Sequence, residues 1–119
     1  MQASIEKVSA ITLKVADMQA SVAFYRDVLC LELIYGGADS AFSSFRIQNT
    51  ESPIINLQRG DPATAWGRMI FHVSNVDAFW KRLKEKGFDP DDPLDASWGE
   101  RFFHVHDPDG HELSFARPL

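Results

Sequence analysis

The sequence predicts an α+β domain made of two βαβββ repeats, whose curved mixed sheets form an open barrel-like cavity. Three observations predict it. The first is size. At 119 residues the expectation is a single domain over 1–119, and a chain of this length buries roughly two thirds of its unfolded surface. The second is internal repetition. Slid along itself by 58 positions, the chain aligns without gaps. Ile11-Thr12-Leu13-Lys14-Val15 falls on Met69-Ile70-Phe71-His72-Val73, and Asp17-Met18 on Asn75-Val76. Phe45-Arg46-Ile47 falls on Phe103-His104-Val105, and Ile55-Asn56-Leu57 on Leu113-Ser114-Phe115. Few residues are identical, yet apolar and polar positions are kept. The halves run over about residues 4–60 and 61–119, joined at the turn-rich Arg59-Gly60-Asp61-Pro62. The third observation is that both halves show the same order of hydrophobic periodicities.

Residues 8–15 alternate, with Ile11, Leu13 and Val15 on one side and Ala10, Thr12 and Lys14 on the other, which is strand spacing. Asp17 follows as a helix N-cap, since its carboxylate accepts from unpaired backbone N–H groups. Met18, Val22, Tyr25, Val28 and Leu29 then recur at helical spacing as one apolar stripe. Leu31 to Tyr35 reads as a strand stopped by Gly36-Gly37. Ala41 to Ile47 and Ile54 to Gln58 are two more, separated by a turn over 49–53.

The second half repeats the pattern. Arg68 to Val73 is a strand, Asn75 a cap, and Val76, Phe79, Trp80 and Leu83 the stripe of a helix ended by Gly87. Residues 88–98, rich in Asp and Pro, are loop with at most a short edge strand. Arg101 to His106 is a strand, Asp107-Pro108-Asp109-Gly110 a tight turn, and Leu113 to Ala116 the closing strand. One helix then covers one face of each four-stranded sheet and leaves the other face open.

Composition narrows the function. Hydrophobic residues make up 45% and charged residues 24%, which are globular values and exclude a disordered, collagenous or coiled-coil chain. The net charge of −5, with no Lys/Arg cluster beyond the solvated helix residues Lys81, Arg82, Lys84 and Lys86, argues against nucleic acid as a partner. No apolar run reaches the ~20 residues of a membrane span. The opening MQASIEKVSA is too polar for a signal peptide, and its Glu6 does not suit a transit peptide. Cys30 is the one cysteine, so no intrachain disulfide forms, and a reducing cytoplasm is the expected compartment. No basic residue adjoins Cys30, which reads as a buried, inert thiol. Phosphate-cradling glycine loops and the G-x-S-x-G nucleophile elbow are absent from the sequence.

Two stretches carry a family resemblance. One is Ile11-Thr12-Leu13-Lys14-Val15-Ala16-Asp17-Met18 followed by Ser21-Val22-Ala23-Phe24-Tyr25-Arg26-Asp27-Val28-Leu29. The other comprises Phe71-His72-Val73-Ser74-Asn75-Val76-Asp77-Ala78, Trp98-Gly99-Glu100-Arg101 and Asp107-Pro108-Asp109-Gly110-His111-Glu112-Leu113-Ser114-Phe115. Together they resemble the vicinal oxygen chelate superfamily, which includes glyoxalase I, bleomycin-resistance proteins, fosfomycin-resistance enzymes and extradiol dioxygenases. The resemblance spans nearly the whole chain and identifies a scaffold, not a reaction, because one fold hosts many functions.

The resemblance also implies where a metal would sit. Metal-using members place ligands on the first and last strand of each half, which here correspond to Ala10, Asn56, Arg68 and Ser114. Ala10 has no donor, Arg68 is a fixed cation, and Asn56 and Ser114 offer only neutral oxygens. No cofactor is therefore expected. The alternative is a displaced divalent metal on His72, His104 and Glu112, which strand parity puts on the cavity face. His111 and the paired aspartates Asp107 and Asp109 read as turn residues, and Asp17 and Asn75 as caps.

Parity and the strand entrances nominate a ligand-binding set: Phe42, Arg46, Asn56, Trp66, Arg68, His72, Trp98, Phe102, His104 and Ser114. Aromatics with a few placed polar groups suit a small-molecule pocket. Arg46 and Arg68 suit a carboxylate or phosphate, unless Arg68 is spent on an internal pair with Glu112. The acidic chain as a whole suits a cation, so the charge of the ligand stays open.

The leading expectation is a metal-independent binder of a small organic molecule, similar in this respect to the bleomycin-resistance proteins. The resemblance further implies a homodimer, with the cavity possible across the interface. An enzyme is the alternative: a lyase, isomerase or dioxygenase using the displaced metal, or using His72 or His104 as general base. A sensor or accessory subunit with a merely structural cavity is a third.

Overall fold

The computed structural model describes residues 3–48 and 50–119. The chain divides into two compact units, residues 1–62 and 63–119. In the first, β1 (Ala10–Val15) leads into α1 (Met18–Ala23), a π-helical turn (Phe24–Val28), and then β2 (Glu32–Tyr35), β3 (Phe42–Arg46) and β4 (Ile54–Arg59). In the second, β5 (Arg68–His72) leads into α2 (Val76–Glu85), β6 (Leu94–Asp95), β7 (Glu100–His106) and β8 (Glu112–Pro118). The sheet orders are β1-β4-β3-β2 and β5-β8-β7-β6, each with one parallel pair at its first strand. The fold is thus α+β with two βαβββ units, as the repeat predicts. Of the predicted 49–53 turn, Asn49 lies outside the described residues.

Each sheet buries the alternation read from the sequence. In the first unit Leu13, Val15, Phe45, Ile55 and Leu57 meet Met18, Val22 and Tyr25, all buried. In the second, Met69, Phe103, Val105, Leu113 and Phe115 face Val76 and Leu83 of α2, which packs on β7 and β8. Among the described residues, no helix of its own unit lies on the opposite face of either sheet.

The caps form as expected. The Asp17 carboxylate accepts from the Ala20 N–H at 3.2 Å, and the Asn75 side-chain oxygen from the Ala78 N–H at 3.0 Å. Replacing Asn75 with Ala removes this acceptor and should cost about 1 kcal/mol, read as a shift of the urea midpoint at unchanged slope. Arg101 adds a second tie to the start of α2. Its guanidinium donates to Asp77 at 2.9 Å and to Asp95 of β6 at 2.9 Å. Those hydrogen bonds, more than the charges themselves, raise its pKa further above the ordinary arginine value.

Three sequence expectations are corrected. The stripe from Met18 to Leu29 is not one regular α-helix: after Ala23 it widens into the π turn, closed by Leu29 N–H to Phe24 O at 2.9 Å and followed by Leu31 N–H to Tyr25 O. The π turn inserts a residue into the helix. The left-handed position ending it is Cys30, φ 62°, where α2 ends at Gly87, φ 89°; the helix ends are thus offset by 57, not 58. Cys30 itself is exposed, not buried, because a left-handed residue at a helix end points off the stripe.

The third correction concerns register. β1, α1 and β4 map onto β5, α2 and β8 with the offset of 58. The third strands do not. Ser44 is the partner of Asn56, whereas Ser114 is the partner of His104, so β3 maps onto β7 with an offset of 60. The connecting loops, residues 47–53 and 107–111, differ in length by the same two residues. A slip of two keeps every side chain on its own face, so polar–apolar alternation cannot detect it.

Candidate functional site

The helix-free face of the first sheet is a polar row flanked by an aromatic pair. Thr12, Asn56 and Ser44 lie side by side across β1, β4 and β3. The Ser44 hydroxyl donates to Asn56 Oδ1 at 2.7 Å, and Asn56 Nδ2 donates to Thr12 Oγ1 at 3.3 Å. Beyond them Phe42 meets Tyr35, ring centroids 6.5 Å apart, and a bulge in β2 turns Tyr35 toward this face opposite Ser44. Arg46 donates through Nε and Nη2 to Glu32, both at 3.0 Å; these bonds, and then the carboxylate charge, raise its pKa.

The second sheet carries the larger set of candidates. In place of the Thr12–Asn56–Ser44 row stand Ile70, Ser114 and His104. The Ser114 hydroxyl and His104 Nδ1 are hydrogen-bonded, and Ser114 is buried. The place of Phe42 is taken by Phe102. Its ring lies 5.1 Å from that of His104 and 5.4 Å from that of Trp98, so Trp98, Phe102 and His104 make a continuous row of rings. Trp98 is 68% exposed, and Leu94 of β6 and Ile70 of β5 are each 60% exposed. At one end of the row Glu100 accepts from Trp98 Nε1 at 2.9 Å through one oxygen, and its other oxygen lies 3.2 Å from His72 Nε2.

Four nominated residues are accounted for differently. Arg68 donates from Nε to Glu112 at 2.8 Å across the β5–β8 pair, so the internal-pair reading holds for it. Arg46 is likewise paired with Glu32. Trp66 precedes β5 and donates from Nε1 to Nδ1 of the buried His111 at 2.9 Å. His111 in turn donates its backbone N–H to Asp107 Oδ1 at 2.9 Å, which makes it the turn residue expected. Asn56 is held within the polar row of the first sheet.

The four residues at the positions the resemblance points to do not fit a divalent metal. Ala10 is exposed and has no donor, Arg68 is cationic and paired, and Asn56 and Ser114 are neutral and engaged in side-chain hydrogen bonds. The displaced set is not brought together either: Glu112 pairs with Arg68, His72 with Glu100, and His104 with Ser114. Among the described residues no group of three or more His, Cys, Asp or Glu is placed to hold a metal ion.

Glu100 is the site residue that sequence reading missed. The predicted strand began at Arg101, one position too late, which left Glu100 in the loop. Its parity with Phe102 and His104 was the available signal.

The sequence profile of the Glyoxalase/Bleomycin resistance protein/Dioxygenase superfamily matches residues 7–115. Among solved structures, the chain resembles the fosfomycin resistance protein FosX of Listeria monocytogenes at 24% identity, with TM-score 0.81, covering 98% of this chain and 96% of that one. It is similar to an antibiotic-binding protein from a Streptomyces species at 22% identity, TM-score 0.78, covering 99% and 100%. A lactoylglutathione lyase from Agrobacterium tumefaciens matches at 18% identity, TM-score 0.78, over 96% and 95%. At these identities the structural likeness speaks to the fold alone. No curated protein gives a significant sequence match. No helix among the described residues is long and apolar enough to cross a membrane. With the profile spanning both units and the two βαβββ units in place, the chain belongs to the Glyoxalase/Bleomycin resistance protein/Dioxygenase superfamily.

Proposed function

We propose that this chain binds a small organic molecule on the helix-free face of its second unit, and does so without a metal. The observation that carries the reading is the ring row Trp98–Phe102–His104, exposed at its Trp98 end and half-buried at Phe102 and His104. An apolar, polarizable surface edged by the polar groups of Glu100, His72 and Ser114 is the composition of a small-molecule site. The resemblance to a fosfomycin resistance protein and an antibiotic-binding protein places antibiotics among the first compounds to try. A homodimer in the cytoplasm belongs to the same proposal; light scattering should return twice the 13.4 kDa chain mass.

The test is a thermal-shift screen of dialysed protein against small amines, acids and antibiotics. A binder at 100 times its Kd raises stability by about 2.7 kcal/mol, a shift of several degrees. Stabilisation without consumption of the compound is the expected result, and a library with no stabilising compound would remove the reading's support. Elemental analysis of the same protein should find far less than one equivalent of zinc, nickel, iron or manganese. A near-stoichiometric metal would contradict the metal-free reading.

A second reading rests on the His104–Ser114 hydrogen bond. With Nδ1 engaged by the serine, Nε2 is the nitrogen left for a ligand, and imidazole is the side chain suited to proton transfer near neutral pH. Turnover of a compound that is lost in His104→Gln, with binding retained, would select this enzymatic reading.

A further inference from the structure

The charge of the ligand, which composition leaves open, is decided by how the charged side chains are spent. Both arginines that favoured an anion are already neutralised, Arg68 by Glu112 at 2.8 Å and Arg46 by Glu32 at 3.0 Å. Each pair balances the charge of its arginine, so a ligand carboxylate there meets no net positive charge.

On the second sheet's helix-free face the fixed charges are Arg68, Glu112 and Glu100. Arg68 and Glu112 cancel each other. Among the described residues Glu100 has no Lys or Arg against it; its partners are the Trp98 indole N–H and His72 Nε2, the latter an ion pair only when His72 is protonated. The carboxylate lies at the end of the ring row, beside Trp98. Those rings present π faces, which attract cations and stack on flat molecules. The chain's net charge of −5 draws cations to the surface as well.

We propose that the site takes a planar organic cation: an aromatic or amidine-like ring system bearing an ammonium or similar group, stacked on Trp98 and Phe102 with its charge on Glu100. The inference rests on the binding reading above and adds the ligand class and Glu100 as the residue that selects it. Glu100 is fixed for this role. Trp98 holds one of its oxygens and His72 the other, so it stands at the end of the ring row without further ordering cost. Carboxylate and rings together favour a cation over a neutral compound of the same shape.

The experiment compares three probes with one ring system: 2-naphthylmethylamine as the cation, 2-naphthylmethanol as the neutral form and 2-naphthoate as the anion. Binding is followed by calorimetry and by the NMR shift of the Trp98 indole N–H. The cation should bind about tenfold more tightly than the alcohol, and the naphthoate more weakly than both. In Glu100→Gln the amide still accepts from Trp98 but carries no charge. The cation should then fall to the affinity of the alcohol while the alcohol itself changes less than about twofold. Equal affinity for cation and alcohol, or a cation preference unchanged in Glu100→Gln, overturns the proposal and leaves the ring platform standing. Absence of binding by all three probes, or binding indifferent to Trp98→Ala, overturns the platform reading itself.

Discussion

Replacing Phe115 with Ala should cost the second unit about 3–5 kcal/mol and lower the melting temperature by about 10–25 °C. Phe115 lies on β8, an inner strand of its sheet between β5 and β7, and is 1% exposed. Its ring stacks on Phe79 of α2 at 4.7 Å, Phe103 of β7 at 5.3 Å and Phe71 of β5 at 5.5 Å. Three elements thus meet at one side chain, and its removal leaves a cavity whose walls belong to different strands and a helix. Such a site collapses poorly, which puts the cost toward the upper end of the range. Against a total stability of about 5–15 kcal/mol, much of the margin is gone. Should Phe115→Ala fail to fold, Phe115→Leu fills most of the volume and is expected to cost about 1–2 kcal/mol. A loss below about 1 kcal/mol for the alanine variant in urea titrations would mean that this aromatic cluster does not hold the helix to the sheet.

Trp98→Ala should have the opposite profile: small in stability, large in binding. The ring is 68% exposed and is held by one N–H bond to Glu100 and one ring contact with Phe102, so removing it should move stability by about 1 kcal/mol or less. A tryptophan that a ligand buries in a binding surface typically contributes 2 kcal/mol or more, so affinity for a stabilising compound should fall about 30-fold or more. Trp80 is the control. It sits on α2 and donates from Nε1 to the Asp91 carbonyl at 2.9 Å, away from the ring row. Trp80→Phe should leave affinity unchanged. A loss of less than about threefold in Trp98→Ala would exclude the ring row as the binding surface.

The architecture was legible because burial enforces period two in strands and the helical stripe between them. Ile11, Leu13 and Val15 sort from Thr12 and Lys14 by sequence alone, and the structure keeps that sorting. The features that escaped are those to which periodicity is blind. The two-residue slip between β3 and β7 preserves parity, so Phe45 aligns with Phe103 in the sequence when its structural counterpart is Val105. The π turn keeps Phe24, Tyr25 and Val28 buried while adding a residue, so the apolar stripe survives and hides the insertion.

The candidate site was legible in its apolar part and obscure in its charges. Phe102, His104 and Ser114 share a face by parity, and the structure joins them. That Arg46 belongs to Glu32 is a cross-strand pairing set by register, and register requires the turn geometry that composition does not carry. Glu100 escaped for a smaller reason. Strand ends are the least certain part of a sequence reading, and its role depends on Trp98 folding back from the preceding turn at Gly99, φ 93°.

The central claim is that the helix-free face of the second sheet is a ligand-binding surface. Amide and indole NMR shifts, recorded while a stabilising compound is titrated into labelled protein, test it most directly. The account predicts that the largest shifts fall on the Trp98 indole N–H and on the amides of Glu100, Phe102, His104 and Ser114, with the Trp80 indole unmoved. Shifts confined to α2, or to Tyr35 and Phe42 of the first unit, would place the ligand elsewhere and contradict it.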